Sequence, residues 1–189
     1  MHRGSKEIWT VDVQKYFPNT TPRKVFEFFT KSMECAQDVA LLLTQITTRY
    51  DHLPTGSPAS PIVAFWANKT MWDEVYEICK RHDLKMSLYM DDLTVSGNKV
   101  TGQVRQKIRR LILKQNFSLH KERHIVNKPT KVTGPIVKKN MIDAPNSHYK
   151  KMRLLKKQIK KSKCLLEKER LKQSLRGLRE YTMQIRNAK

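Results

Sequence analysis

An α+β fold is what this sequence predicts: a small antiparallel sheet bearing three acidic residues, backed by helices and followed by a basic helical segment. Three observations lead there. Short β-type runs at Ile8 to Val13 and Met86 to Gly97 carry acids, Asp12 in the first and Asp91 with Asp92 in the second. Stretches with apolar residues at helical spacing lie between and after those runs. Beyond Asn146, leucines and basic residues alternate with the same helical period.

In chain order, Ile8 to Val13 reads as a strand that ends before the turn-forming Phe17-Pro18-Asn19-Thr20. Thr21 is placed to cap a helix with Pro22 in its first turn, and Val25, Phe26 and Phe29 then fall on one face. A second helix runs through Val39, Leu42, Leu43 and Ile46. Leu53 to Pro61 holds three prolines and one glycine, which makes it a loop of fixed conformation, and a single helical pattern extends from Ile62 to Lys80. Met86 to Gly97 reads as a tight hairpin with carboxylates at its tip. Val104, Ile108, Leu111 and Ile112 define a further helix whose other face is filled by Arg105, Lys107, Arg109 and Arg110. Short strands are expected near Ile125 and from Val132 to Val137, and Trp9, Trp66 and Trp72 read as core anchors. One or two basic amphipathic helices close the chain.

Composition narrows the function classes. Of 189 residues, 38 are Lys or Arg against 17 Asp or Glu, a formal net charge of +21. Residues 147 to 189 alone hold 15 basic and 3 acidic side chains. A folded chain this basic selects a polyanionic partner, of which nucleic acid is the commonest. Cys35, Cys79 and Cys164 form no CxxC pair, which argues against a zinc module or a disulfide scaffold and for a cytoplasmic location. The longest apolar run, Val39 to Leu43, falls far short of the roughly 20 residues a membrane span needs. No HExxH pattern surrounds any of the six histidines, which take structural or surface roles.

Asp91 and Asp92, adjacent at a hairpin tip, are costly to hold together unless a cation offsets their repulsion or water solvates the turn. A magnesium site is one resolution, because every donor is a hard oxygen. Asp12 joins it if the two acid-bearing strands are neighbours in one sheet. Carboxylates that gather two Mg²⁺ ions about 4 Å apart activate an attacking hydroxyl and stabilise a leaving pyrophosphate. The pair alone leaves both readings open.

The order and spelling of these segments tip the balance. Thr10-Val11-Asp12-Val13-Gln14-Lys15-Tyr16-Phe17-Pro18 resembles motif A of a reverse transcriptase, Leu53 to Pro61 the LPQGxPxSP loop of motif B, and Tyr89-Met90-Asp91-Asp92 the YxDD box of motif C. Asn116-Phe117-Ser118-Leu119-His120 is similar to motif D, and Lys131-Val132-Thr133-Gly134 to the VTG of retron enzymes. The resemblance, to enzymes of bacterial retron and group II intron type, spans about residues 5 to 140 in family order. It implies a polymerase palm over residues 1–145 with motifs A to E, a ferredoxin-like antiparallel sheet with helices on one face. A basic helical thumb then occupies 146–189.

The resemblance also implies an activity, RNA-directed DNA polymerisation: Mg²⁺-dependent addition of dNTPs to a primer 3′-hydroxyl on an RNA template, with two metal ions. Asp12, Asp91 and Asp92 would be the catalytic carboxylates and, with the Val13 backbone carbonyl, the metal ligands. Lys121 would be the general acid toward pyrophosphate, since an Arg pKa above about 12 suits Arg123 poorly to that task. Phe17 falls where the family places an aromatic side chain under the sugar, which implies preference for dNTPs over rNTPs and disfavours an RNA-directed RNA polymerase. Thr55, Gly56 and Ser57 would meet the nucleotide, with Thr55 standing where the family usually has Gln and Lys15 where it often has an acid. Lys150, Lys151, Arg153, Lys156, Lys157, Lys160 and Lys161 would neutralise phosphates of the primer-template duplex.

The implied partners are an RNA template, a DNA or RNA primer and dNTPs, with no membrane. Retron-type membership adds a structured non-coding RNA and a place in antiviral defence. Only eleven residues precede Asp12, where the family has its fingers region. The chain then reads as a fragment of a longer reading frame, as a polymerase whose fingers come from a separate chain, or as a degenerate palm. A truncated or split polymerase is the reading taken; an inactive or split palm fragment that only binds nucleic acid is the alternative.

Overall fold

The structure, a computed structural model, describes residues 2–138 and 141–187. It divides into two compact units, Glu7–His124 and a second composed of Met1–Lys6 with Ile125–Lys189.

The first unit is built on a four-stranded sheet of order β2-β3-β1-β4, with β1 at Glu7–Gln14, β2 at Lys85–Tyr89, β3 at Asp92–Gly97 and β4 at Ser118–Val126. Pairing of β1 with β3 is antiparallel and sets Trp9 opposite Val95, Val11 opposite Leu93 and Asp12 opposite Asp92. Successive strand residues point to opposite faces, so one face carries Trp9, Val11, Val13, Leu93 and Val95, and the other carries Thr10, Asp12, Asp92, Thr94 and Ser96. The apolar face is wholly buried.

Five α-helices complete this unit: α1 (Pro22–Glu27), α2 (Gln37–Thr47), α3 (Ser60–Ala67), α4 (Lys69–Arg81) and α5 (Gly102–Lys114). Val25, Met71, Trp72, Val75, Ile108 and Ile112 from these helices enter the same core as the apolar sheet face. Each fully buried side chain of this size contributes about 1.5–3 kcal/mol relative to exposure. Thr101 caps α5 by accepting from the Val104 N–H at 3.3 Å. Gly97 ends β3 where a Cβ would stand 2.6 Å from Leu84 Cδ2.

Several elements differ from their sequence expectation. The helical pattern of 62–80 is broken at Asn68 into α3 and α4; the buried Asn68 side chain donates to the Ala64 carbonyl of α3 at 2.9 Å and, outside the helix, to Thr20 Oγ1 at 3.0 Å, and accepts from Lys24 Nζ at 3.1 Å. Thr21 occupies the cap position of α1, yet its side chain makes no capping hydrogen bond. A π-helical segment, Phe28–Ser32, follows α1 directly. In α2 the buried residues are Ala40 and Thr44, while Val39, Leu42 and Ile46 are exposed. The β2 strand lies at the sheet edge and is only half covered. Trp9 and Trp72 are core residues as expected, whereas Trp66 is exposed and stacks on Phe28.

Glu122 of β4 joins three elements. It accepts from Trp9 Nε1 at 2.7 Å and from Arg109 Nε at 2.9 Å, with Arg105 at 3.9 Å. Against the cost of burial, the bonds from Arg109 and Trp9 hold its carboxyl below the usual range.

In the second unit, β5 (Thr130–Lys131), β6 (Ile136–Val137) and β7 (Ile142–Asp143) form a small antiparallel sheet, followed by α6 (Asn146–Lys161) and α7 (Leu165–Asn187). Asp143 accepts from Tyr149 Oη at 2.6 Å, Arg186 Nε at 3.0 Å and Lys138 Nζ at 3.1 Å. Tyr149 opens α6 and Arg186 closes α7, so the two helices form an antiparallel hairpin. Leu155, Leu175, Thr182 and Ile185 are its buried residues. No helix among the described residues is long and apolar enough to cross a membrane.

Replacing Glu122 with Ala removes two charge-assisted bonds and leaves the Trp9 N–H without its acceptor. We expect a loss of about 2 kcal/mol, read as a lower midpoint in urea unfolding; an unchanged midpoint would show that packing alone holds Trp9.

Candidate active site

Strand pairing assembles the acidic edge. Asp12 and Asp92 are cross-strand neighbours on one face of β1 and β3, and such pairs have Cβ atoms about 5 Å apart. Asp91 lies in the two-residue loop between β2 and β3, and its backbone carbonyl accepts from the Val13 N–H at 2.9 Å. That bond fastens the hairpin tip to the end of β1. Met90, the first loop residue, has φ +56°, the left-handed backbone by which a two-residue hairpin turns so tightly.

The three carboxylates feel one another. Burial pushes the Asp91 carboxyl up, with the charge of Asp12 adding to the shift, and burial pushes Asp92 up with help from Asp91 and Asp12. The Lys121 ammonium acts on both in the opposite direction. It projects from β4 at a residue with φ +48°, a backbone departure within an otherwise extended strand. Among the described residues, no three carboxylate, imidazole or thiolate side chains converge closely enough to hold an ion between them. Mutual repulsion opposes such convergence. The donor chemistry nevertheless suits Mg²⁺, since all the groups are hard oxygens.

Phe17 is half-buried and packs at the rim of the core, while its neighbour Tyr16 points fully inward, with ring centroids 5.7 Å apart. Tyr16 Oη donates to the Ala64 carbonyl and accepts from Trp72 Nε1, both at 2.9 Å, and burial pushes its pKa up to about 12. The pair therefore divides its labour, with Tyr16 as anchor and Phe17 nearer the surface.

The loop before α3 is ordered by its own bonds. Ser60 Oγ donates to the Pro54 carbonyl at 2.7 Å and the Ser60 N–H to the Ser57 carbonyl at 3.2 Å, while Leu53 is fully buried. Thr55 and Gly56 are exposed and Ser57 half-buried. Gly56 has φ +96°, and a Cβ there would meet nothing within 4 Å, so the glycine is required by backbone conformation rather than by crowding within this chain. On the second unit, Lys150, Lys151, Arg153, Lys156, Lys157, Lys160 and Lys161 all lie exposed along α6.

Sequence reasoning overlooked the groups that hold this framework. Lys24, buried enough for its pKa to fall, donates to Asn68 Oδ1 and to the Gln115 carbonyl at 3.2 Å and stands 4.3 Å from the Phe117 ring centroid. It ties α1 to the α3–α4 junction and to the turn before β4. A single lysine in an amphipathic helix carries no signal of such a role.

No family model matches the chain. It is 25% identical over 157 residues to the retron Ec86 reverse transcriptase of Escherichia coli, covering 80% of this chain and 49% of that one. To the retron Ec48 reverse transcriptase of Escherichia coli it is 24% identical over 187 residues, covering 95% and 45%. To the retron Se72 reverse transcriptase of Salmonella heidelberg it is 24% identical over 113 residues, covering 59% and 30%. These likenesses support a relationship with retron reverse transcriptases. The chain spans about half the length, or less, of the curated relatives it matches.

The raised pKa values have a sign for stability. A carboxyl whose folded pKa lies above its unfolded value holds its proton more tightly when folded. Stability therefore falls as pH rises through the ordinary Asp value near about 3.9 and into the raised range. Asp91→Asn removes that penalty at neutral pH. In the presence of a chelator the variant should melt at a higher temperature than the parent at pH 7, with the gap closing at pH 3.5; a lower melting temperature at pH 7 would contradict the electrostatic reading.

Proposed function

We propose that the chain is the palm (1–145) and thumb (146–189) portion of a retron-type reverse transcriptase, adding dNTPs to a primer 3′-hydroxyl on an RNA template. One observation carries the reading: Asp12 stands opposite Asp92 across the β1–β3 pair, with Asp91 fastened beside them, in a chain similar to retron reverse transcriptases. Such an edge is suited to phosphoryl transfer, where catalysis is chiefly positioning and charge stabilisation.

In this reading Asp12, Asp91, Asp92 and the Val13 carbonyl would hold two Mg²⁺ ions, which lower the pKa of the attacking hydroxyl and stabilise the leaving pyrophosphate. Lys121, already within electrostatic reach of Asp91 and Asp92, would donate the proton to the pyrophosphate oxygen. Phe17 would lie against the sugar and leave no room for a 2′-hydroxyl. Thr55, Gly56 and Ser57 would meet the nucleotide through a loop whose shape is preset, and the lysines of α6 would neutralise phosphates without reading sequence. A structured non-coding RNA, a separate chain supplying fingers and a cytoplasmic setting complete the proposal.

Primer extension on a primed RNA template with dNTPs and Mg²⁺ tests it. The parent chain should extend the primer, and Asp91→Asn should lower the rate by about a thousandfold or more while duplex binding persists, since the metal-bound carboxylate supplies several kcal/mol. Absence of synthesis from the parent, with an RNA-DNA duplex still bound, would instead favour the palm fragment that only binds nucleic acid.

Nucleotide selection gives a separate check. Phe17→Ala should admit rNTPs, narrowing the dNTP preference by at least about tenfold; unchanged selectivity would make Phe17 a packing residue only.

A further inference from the structure

A cleft of about 400 Å³ opens between the start of α1, the start of α4 and the turn that leads into β4. Thr21, Arg23, Lys24, Thr70, Met71 and Asn116 stand in its wall. It shares no residue with the acidic edge. The cleft lies on the helical side of the sheet, where Val25 and Met71 enter the core, whereas Asp12 and Asp92 belong to the other face.

Lys24 is the residue here whose surroundings leave something unbalanced. Its ammonium has three N–H groups, and the acceptors it meets, Asn68 Oδ1 at 3.1 Å and the Gln115 carbonyl at 3.2 Å, are both neutral. The Phe117 ring, with its centroid 4.3 Å away, is neutral as well. Burial lowers the pKa of the group, and no carboxylate acts on it to offset that burial. Glu27, one turn along α1, is already engaged by Arg23 Nε at 3.1 Å and Lys31 Nζ at 3.4 Å. A cation withdrawn from water is ordinarily paired, because desolvation penalises the charge and an opposite charge offsets the penalty. The cleft is where a counter-ion for Lys24 would stand.

The rest of the wall narrows the kind of anion. A volume in the range of small-molecule sites exceeds what a bare oxyanion fills. Met71 offers an apolar surface, and the amides of Gln115 and Asn116 offer donors and acceptors beside it. Those features suit the flat face and the polar edge of a heterocycle. Arg23 is bonded to Glu27 through Nε, which keeps its two terminal nitrogens for an oxyanion. A dianionic phosphate engages both cations, whereas a single carboxylate neutralises only one.

We propose that this cleft is a binding site for a nucleoside monophosphate, its phosphate paired with Lys24 and Arg23 and hydrogen-bonded by the Thr21 and Thr70 hydroxyls, its base lying along Met71 beside Asn116. Because Lys24 also holds the Gln115 carbonyl, a ligand there fastens α1 and the α3–α4 junction to the turn before β4. The site is separate from the proposed polymerisation and does not depend on it.

Titration of the full chain, with its methionine methyls labelled with ¹³C, tests the site. AMP, GMP, CMP and UMP are added in turn, with EDTA present and no template, so that no metal-held nucleotide contributes. At least one should shift the Met71 methyl resonance to saturation while Met90 at the hairpin tip and Met152 of α6 stay unmoved. The matching nucleoside and inorganic phosphate should each bind at least about tenfold more weakly. Lys24→Met should weaken binding by about tenfold or more. That variant also removes two bonds of the framework, so Arg23→Gln and Thr70→Val, both at exposed positions, are measured beside it. Each should weaken binding by about threefold with the melting temperature unchanged. No shift from any of the four, a response at Met90 or Met152 without one at Met71, or an affinity indifferent to all three substitutions would overturn the proposal. So would a nucleoside that binds as tightly as its phosphate, which removes Lys24 as the charge partner, or inorganic phosphate that binds as tightly as the nucleotide, which reduces the cleft to an anion pocket.

Discussion

The register of β1 against β3 is the constraint on which everything else at the acidic edge rests. Asp12 sits opposite Asp92 only in this alignment, and the same alignment turns Trp9, Val11, Leu93 and Val95 toward the core. A slip of one residue would reverse both sets, burying carboxylates and exposing the apolar face. The core thus enforces the site: the free energy of burying one face holds like charges together on the other. The bond from the Val13 N–H to the Asp91 carbonyl extends the enforcement one residue past the paired strands.

That arrangement opposes its own electrostatics. Asp91 and Asp92 are raised by burial and by neighbouring acids, with Lys121 as the nearby cation offsetting part of the strain. The supporting structure lies on the opposite side of the sheet and toward β4, in the Glu122 bonds to Trp9 and Arg109. Catalytic sites commonly divide in this way, with a stable framework maintaining a locally unfavourable cluster.

Much of this was legible in the sequence, for identifiable reasons. Short runs of β-forming residues made β1 and β3 readable, and acids at a tight turn marked the hairpin tip. The charge of Lys121 acts on both Asp91 and Asp92, a long-range effect that residue type and position in the sequence do not show. The split between α3 and α4 was not readable, because Asn68 sits within an unbroken helical pattern and its partners Lys24 and Thr20 lie 44 and 48 residues away. The bare face of α2 was hidden for another reason: periodicity says that Val39, Leu42 and Ile46 share a face, not whether anything covers it. Nor does any pattern foretell the left-handed backbone at Met90 and Lys121.

The Tyr16 hydroxyl reaches the Ala64 carbonyl in the first turns of α3, and α3 begins at Ser60, whose hydroxyl closes the loop holding Gly56 and Ser57. Phe17 and that loop, some forty residues apart in the chain, are therefore measured from a single datum. A displacement of α3 moves both by a common amount and preserves the spacing between them, so their relative placement is buffered against drift in the surrounding scaffold. Tolerance to distant substitutions is built into such a coupling, and error enters only where the two references separate.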